Sequence, residues 1–309
     1  MFSEDWNLNL EQIIKDAFVS KQSVCMPMEP MSRHTSFRIG GPAELFVCPA
    51  VEEDLAEVLR ICRESRVLWR ILGNGSNLLV SDKGCEGVVI STEQLSGLGV
   101  NGNLLRAGAG QLLGRAAHLA LEHSLTGMEF AAGIPGSAGG ALVMNAGAYG
   151  SEMKDILKSA RVMTGEGRIL DLPAGDLELG YRTSCIPSRG YIVLEAVYEL
   201  RPGDRGAIEE RMRELAARRR EKQPLEYPSA GSTFKRPQGY FAGKLIEDAG
   251  LRGYQVGGAQ VSEKHCGFVI NKDHATAGHV MELCSHIRKT VKEISGVELE
   301  MEVKRWGEF

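Results

Sequence analysis

The chain has 309 residues, 43% hydrophobic and 25% charged, with a formal net charge of −4. That balance excludes a disordered chain, a coiled coil and a collagen, and it argues against a nucleic-acid binder that works through bulk electrostatics. No apolar run reaches the ~18 residues of a membrane span, the acidic and polar start is unlike a secretory signal, and seven cysteines without a CxxC pair fit reduced thiols in a cytoplasm rather than a disulfide framework or a zinc site.

In chain order, Leu10, Ile13, Ile14 and Phe18 recur at helical spacing, and the Pro/Met-rich stretch MPMEPMS after them reads as a linker. Residues 43–48 predict a strand, and 51–64 a helix with Val51, Leu55, Val58, Leu59 and Cys62 on one face. Residues 67–72 predict a buried strand, with short strands at 78–81 and 87–91, so the region reads as a β-α-β unit with a glycine-rich turn. Farther on, Leu113, Ala116, Ala117 and Ala120 stack on a helix at 111–123, and 158–164, 168–172 and 191–200 read as strands. RPGD at 201–204 is a turn. The helix at 207–221 begins with acids and ends in Arg218, Arg219, Arg220 and Lys222, the charge order the helix dipole favours. A helix at 241–250, a strand at 267–271 and a helix at 279–294 carrying Val280, Leu283, Cys284, Ile287, Val291 and Ile294 follow. The alternating end, GVELEMEVKRW, reads as a strand. No internal repeat is present. The class is α+β, with a boundary near 201–206.

Glycine, at 37 residues, is the unusual component, and it clusters. Gly73-Asn74-Gly75-Ser76-Asn77 offers several backbone N–H groups with little side chain in the way, which suits a phosphate. It also reads as a hairpin turn, and local signals alone favour the turn. It is neither a Walker loop, since no Gly-Lys-Ser/Thr follows, nor a dinucleotide GxGxxG, since a strand follows it. Residues 133–150 hold six glycines with Pro135, Ser137 and Asn145, and read best as a loop lying along an extended ligand, although Ala138–Met144 also fits a small-residue helix. Two such loops favour a ligand with a diphosphate, such as a dinucleotide. Arg182 taken alone is a surface arginine. Ser232 lacks the GxSxG and His-Asp context of a hydrolase, so it reads as a proton donor or a helix cap. Glu298, Glu300 and Glu302 alternate and share one face, most simply a solvent-facing edge. Lys222 ends a helix facing the 229–237 loop, and the seven histidines show no metal-ligand spacing.

As an ordered set, TSFRIGG (35–41), LGNGSNL (72–78), GIPGS (133–137), NAGAYG (145–150), YRTS (181–184), SAGSTF (229–234) and LEMEV (299–303) resemble the UDP-N-acetylenolpyruvoylglucosamine reductase family, of the shorter type without an extra tyrosine-bearing segment. The resemblance runs from about residue 30 to the C-terminus. It implies an FAD-binding half of the PCMH or vanillyl-alcohol-oxidase type over 1–205, in two subdomains of about 1–95 and 96–205, and an α+β substrate-binding domain over 206–309. It implies that Gly73, Asn74, Gly75, Ser76, Asn77 and Leu78, with Gly133, Pro135, Gly136, Ser137, Gly140, Asn145, Gly147 and Ala148, hold non-covalent FAD. Tyr181, Lys222, Ser232 and His265 are implied for substrate, and Arg182, Ser232 and Glu302 for catalysis.

The implied reaction reduces the enolpyruvyl ether of UDP-N-acetylglucosamine to a lactyl ether, giving UDP-N-acetylmuramate for peptidoglycan synthesis. NADPH gives hydride to FAD and leaves, and the reduced flavin N5 gives hydride to enolpyruvyl C3. Carbanion character then develops at C2 and spreads into the carboxylate, which Arg182 and a protonated Glu302 would stabilise while Ser232 protonates C2. The resemblance implies a cytoplasmic enzyme, monomeric or weakly associated, with no nucleic-acid partner, no membrane insertion and no metal. Two other readings compete: a flavin oxidase of the same fold, and a non-catalytic nucleotide-sugar binder. The tail from Ser232 to Glu302 disfavours the oxidase, and the joint presence of Arg182, Ser232 and Glu302 disfavours the binder.

Overall fold

Three discontinuous segments make up each of two compact units: Met1–Pro27, Leu45–Asn74 and Gly87–Arg219 form the first, and Met28–Glu44, Gly75–Glu86 and Arg220–Phe309 the second. The structure is a computed structural model that describes residues 4–309, with side chains from Asn9 onward.

In the first unit, helices α1 (Glu4–Ala17) and α2 (Glu52–Glu64) cover one core. Leu10, Ile14, Leu55, Val58, Leu59 and Cys62 are buried there with Val88 and Ile90, as their helical and alternating spacing requires. Ile13 instead faces solvent at 44% exposure. The carboxylate of Asp54 is fully buried and accepts the Val19 and Ser20 N–H groups at 2.7 and 3.1 Å and the Ser23 hydroxyl. That satisfied charge anchors the chain as it leaves α1.

The stretch expected to be a linker is a strand, Val24–Pro30, followed by a short 3-10 turn at Met31–Arg33. It lies at the edge of a four-stranded sheet ordered Val24–Pro30, Pro42–Cys48, Cys85–Ser91, Trp69–Leu72. An edge strand tolerates proline because one side of its backbone needs no ladder partner. Strand Trp69–Leu72 pairs in parallel with Cys85–Ser91. The intervening Leu78–Val80 pairs in parallel with Lys304–Trp306 instead. The GNGSN segment is therefore not the turn of a hairpin, because the strands on either side of it have different partners.

A five-stranded antiparallel sheet, also in the first unit, is ordered Ile169–Pro173, Leu157–Met163, Ile192–Glu199, Leu104–Gly108, Leu98–Asn101. Helix α3 (Leu113–Glu122) packs Leu113, Ala116, Ala117 and Ala120 into its core. Helix α4 (Ala138–Val143) adds Ala138, Ala141 and Leu142, and α5 (Arg205–Lys222) adds Ile208, Met212 and Leu215.

In the second unit, α6 (Ala242–Asp248) and α7 (Ala277–Ser295) pack with the antiparallel sheet Gln255–Val256, Ala259–Val261, Val269–Asn271. Val280, Leu283, Cys284, Ile287 and Val291 of α7 are buried; Ile294, expected with them, is 62% exposed in the last turn. Thr276 caps α7 by accepting from His279 N, and the Asp82 carboxylate accepts from Ala277 N and Gly278 N at 2.8 and 2.9 Å. Phe37, Ile39 and Leu79 belong to this same core, so the segment 28–44 is structural in the second unit.

The expected C-terminal strand is shorter than its alternation suggests. Only Lys304–Trp306 is a strand, with an isolated bridge between Phe234 and Met301 before it. Leu299 and Val303 are buried and Glu300 is exposed, so the alternation reports extended chain against a core more than continuous pairing.

Candidate functional site

In the first unit, the Gly73–Asn74 bend and the 133–137 loop are fixed to one another. Asn74 Nδ2 donates to Pro135 O at 2.8 Å. A Cβ at Gly73 would stand 2.6 Å from Ser137 Oγ, so only glycine allows that approach. Ser137 is buried and caps α4, its Oγ accepting from Gly140 N at 3.4 Å. Gly133 and Pro135 remain exposed. Exposed glycine backbone beside a polar amide suits a phosphate-bearing ligand.

Behind this loop, Asn145 is completely buried in a left-handed conformation, φ +41°. Its amide nitrogen donates to Glu152 Oε2 at 2.9 Å and Gly180 O at 3.1 Å, and its oxygen accepts from Lys154 N at 2.9 Å. The side chain is thus spent inside the protein, clasping the 180–183 turn. Gly147 and Ala148 form a short pairing with Ser151 and Glu152, and a Cβ at Gly147 would come within 2.6 Å of Ser151 O.

The clasped turn presents Tyr181 and Arg182. Gly180 and Thr183 bridge across it, with Gly180 N to Thr183 O at 3.0 Å. Arg182 takes φ +56°, a region that disfavours a side chain, and its guanidinium carbon lies 5.4 Å from the Tyr181 ring centroid. Such strain, about 1–3 kcal/mol, persists where surrounding bonds over-determine it and is commonest at functional positions. Ser184 Oγ, two residues on, donates to Val143 O at 2.9 Å and ties the turn to α4.

In the second unit, residues 232–235 run antiparallel to 300–302. Glu302 N donates to Thr233 O at 2.9 Å and Lys235 N to Glu300 O at 2.8 Å. Thr233 N donates to Gly267 O, and Thr233 Oγ1 accepts from Val269 N, both at 2.9 Å. Gly231, at φ +75°, makes the turn that delivers Ser232, whose side chain is exposed. Asn77 joins the same group: its Nδ2 donates to Glu302 O at 3.3 Å and its carbonyl accepts from Lys304 N at 3.0 Å. Gly75 (φ +59°) permits the turn there, since a Cβ would meet His34 O at 2.0 Å. Leu78 is buried at the start of its strand, and Ser76 is half-buried beside it.

His265 stacks edge-on against Phe268, two residues before the Gly267 whose carbonyl accepts from Thr233 N. Its Nδ1 accepts from Gly267 N at 3.0 Å, so the ring is neutral with its proton on Nε2. Burial lowers its pKa below the ordinary value of 6.5. Glu300 pairs with Lys235 and Glu298 with Lys292 on the exposed side; Glu302 is the acid whose own N–H bonds to Thr233 O. Lys222 is exposed at the end of α5. Among the described residues no three His, Cys, Asp or Glu side chains group as metal ligands.

Two further residues, neither read from the sequence as a site residue, stand out, one in each unit. Arg219 is half-buried against Gly133, where a Cβ would meet its Cδ at 3.1 Å. Gln223 has a buried Oε1 without a hydrogen-bond partner. Nothing in an Arg218-Arg219-Arg220 run tells which side chain turns inward; only packing does.

Residues 43–173 match the family model described as FAD binding domain, and residues 223–306 match that of UDP-N-acetylenolpyruvoylglucosamine reductase, C-terminal domain. The protein named UDP-N-acetylenolpyruvoylglucosamine reductase from Clostridium perfringens is 54% identical over 278 residues, covering 90% of this chain and 91% of its own. The one from Lachnoclostridium phytofermentans is 53% identical over 302 residues, 96% and 97% of the two chains. The crystal structure of the Thermus caldophilus enzyme of that name superposes with a TM-score of 0.79 at 34% identity, over 93% of this chain and 99% of that one.

Proposed function

The chain belongs to the UDP-N-acetylenolpyruvoylglucosamine reductase family, and on that premise we propose that it is an FAD-dependent oxidoreductase that uses NADPH to reduce the enolpyruvyl ether of UDP-N-acetylglucosamine, yielding UDP-N-acetylmuramate in the cytoplasm for peptidoglycan synthesis. Among the described residues no helix is long and apolar enough to cross a membrane. The observation that carries this reading is Ser232: an exposed hydroxyl on a glycine turn, locked by main-chain bonds to the segment bearing Glu302.

The residues present fit a flavin dinucleotide. Gly73, Asn74, Gly133, Pro135 and Gly136 offer backbone and amide groups with small side chains around them. With them, Gly75, Ser76, Asn77, Leu78, Ser137, Gly140, Gly147 and Ala148 would hold the group, directly or by shaping the loops, and Asn145 does so by holding its own loop in place. FAD, when bound, supplies the two-electron transfer between the nicotinamide and the enolpyruvyl carbon.

The chain's own residues manage charge and one proton. Negative charge develops on the substrate's C2 and carboxylate only as C3 is reduced. Arg182, held at a strained turn, offers a permanent cation to that carboxylate. Glu302, in protonated form, donates a hydrogen bond to the same group. Ser232 delivers its hydroxyl proton to C2, a demanding role for an alcohol that becomes possible against so basic an acceptor. His265, neutral, can donate from Nε2 to a substrate oxygen while its Nδ1 is held by Gly267. Lys222 and Tyr181, both exposed, are assigned to the substrate, Lys222 to its diphosphate.

An absorbance experiment tests the reading. The purified protein is expected to be yellow, to bleach with anaerobic NADPH, and to regain colour with the enolpyruvyl UDP-sugar. A colourless chain that takes up no added FAD would overturn it. A flavoprotein recoloured only by oxygen would point to the oxidase alternative.

A further inference from the structure

Every arginine of α5 is exposed except Arg219. Arg211 and Arg218 pair with Glu214, and Arg213 with Glu209, all on the solvent side. Arg219 is half-buried in the first unit, and no carboxylate among the described residues pairs with it. Its stem and guanidinium cross the backbone of Gly133, where a Cβ would approach Cδ to 3.1 Å and a terminal nitrogen to 3.3 Å. One helical turn earlier, Leu215 O accepts from the Tyr149 hydroxyl at 3.2 Å. Both ends of the 133–150 segment thus meet the last turns of α5. Tyr149 reaches that bond from a left-handed backbone, φ +56°. Burial pushes the Arg219 pKa below its ordinary value, as expected of a cation withdrawn from water without a counter-charge.

A guanidinium drawn partly out of water without an anion is unfavourable. Its position against the backbone of Gly133 calls for an anion supplied from outside the chain. We propose that Arg219 is the charge partner of the diphosphate of bound FAD, and that position 133 is glycine because the guanidinium has to pass over its backbone to reach that group. The inference rests on the flavin reading above and goes beyond it by assigning a residue no motif marked. The diphosphate is favoured over the flavin ring because it is anionic in every redox state, while the oxidised ring is neutral. A planar guanidinium fork also matches two phosphate oxygens.

The test uses the full chain, freed of flavin and titrated with FAD, ADP and riboflavin. Arg219→Met is expected to raise the Kd for FAD at least about tenfold, the size of one charge-assisted hydrogen bond. It should weaken ADP to a similar degree and leave riboflavin, which carries no phosphate, unchanged. Arg219→Lys should recover part of the loss, and Gly133→Ala, which displaces the guanidinium, should resemble Arg219→Met. In the flavin-free state, Arg219→Met should melt at or above the wild type, because an unpaired charge is gone, and FAD should raise its Tm less. A merely structural arginine would give the opposite: a lower Tm without FAD and unchanged affinity. Unchanged FAD affinity, or riboflavin weakened as much as FAD, overturns the proposal while leaving the flavin reading intact. A wild type that binds no FAD overturns both. Should Arg219→Met fail to fold, the wild type still decides, since FAD affinity must fall as salt rises, and salt-independent binding counts against a charge partner.

Discussion

The backbone N–H of Glu302 and the carbonyl of Thr233 meet at 2.9 Å, and this one main-chain bond places an acid and a hydroxyl on adjoining segments of extended chain. Because the neighbouring bond, Lys235 N to Glu300 O, is 2.8 Å, the register is fixed at two points. A slip of one residue would exchange the positions of Met301 and Glu302.

Ser232→Ala is expected to leave flavin reduction by NADPH untouched and to slow reoxidation by the enolpyruvyl UDP-sugar by about 10²–10⁴-fold, the range of a lost general acid. Stopped-flow absorbance separates the two half-reactions. Equal loss in both would remove Ser232 from the proton-donor role.

Glu302→Gln should impair the sugar half-reaction severely, while Glu300→Gln should change it less than about threefold. The Lys235–Glu300 pair is a surface ion pair, with the Glu300 side chain 72% exposed, and such pairs are worth about 0–1 kcal/mol. If Glu300→Gln were the inactive variant, the role assigned to Glu302 would belong to its neighbour.

Gly75→Ala should destabilise the fold by more than about 2 kcal/mol, through a left-handed φ and a clash with backbone. The added Cβ would lie 2.0 Å from His34 O. Gly97→Ala, where nothing lies within 4 Å, should stay within about 0.5 kcal/mol of wild type. Denaturant unfolding of the two variants measures the contrast.

His265 gives a pH dependence of definite sign. Its pKa is 6.5 in the unfolded chain and lower in the fold, because burial disfavours the cation. Above that unfolded value both states are neutral and no slope arises. As pH falls below it, the unfolded chain takes up a proton the fold refuses, so stability drops until the folded pKa is passed. Urea midpoints at about pH 7.5 and 5.5 should therefore differ more for wild type than for His265→Gln.

The seven cysteines are all free and all buried. Burial pushes the thiols of Cys25, Cys62 and Cys284 up to about 12, so little thiolate is present near neutrality. A thiol-disulfide reagent should label the native protein slowly and should count seven thiols once the chain is unfolded. Rapid labelling of the native protein would mean that one of these sites opens readily.

The longer helices are legible in the sequence: α2, α3 and α7 lie within two residues of where the apolar periodicity of Leu55, Leu113 and Leu283 places them, and α5 within two of where its charge order does. The strand Val24–Pro30 is not legible, since two prolines conceal an edge position. The hairpin of Leu98–Asn101 and Leu104–Gly108 escapes because its glycines dilute the alternation. Ser232 and Glu302 are recognisable as members of an ordered motif set, and the bond between Thr233 and Glu302 that draws them together lies 69 residues apart in sequence, beyond any local pattern. Asn145 reads as a ligand-loop residue, yet its amide is engaged with Glu152, Gly180 and Lys154. Arg219 is indistinguishable from Arg218 until packing turns one of them inward.

The interleaving of segments bears on the order in which the chain can fold as it is made. Phe37, Ile39 and Leu79 emerge early in synthesis, but the core they complete also needs Leu283, Ile287 and Val291 from α7. These apolar residues must wait, exposed or chaperoned, until the last ninety or so positions arrive. Conversely, the stretch 223–306, produced by itself, would lack three core side chains and the Asp82 carboxylate that caps α7. Truncation from either end therefore injures the second unit, and substitutions near residue 37 should show themselves first as poor yield of soluble protein rather than as altered chemistry.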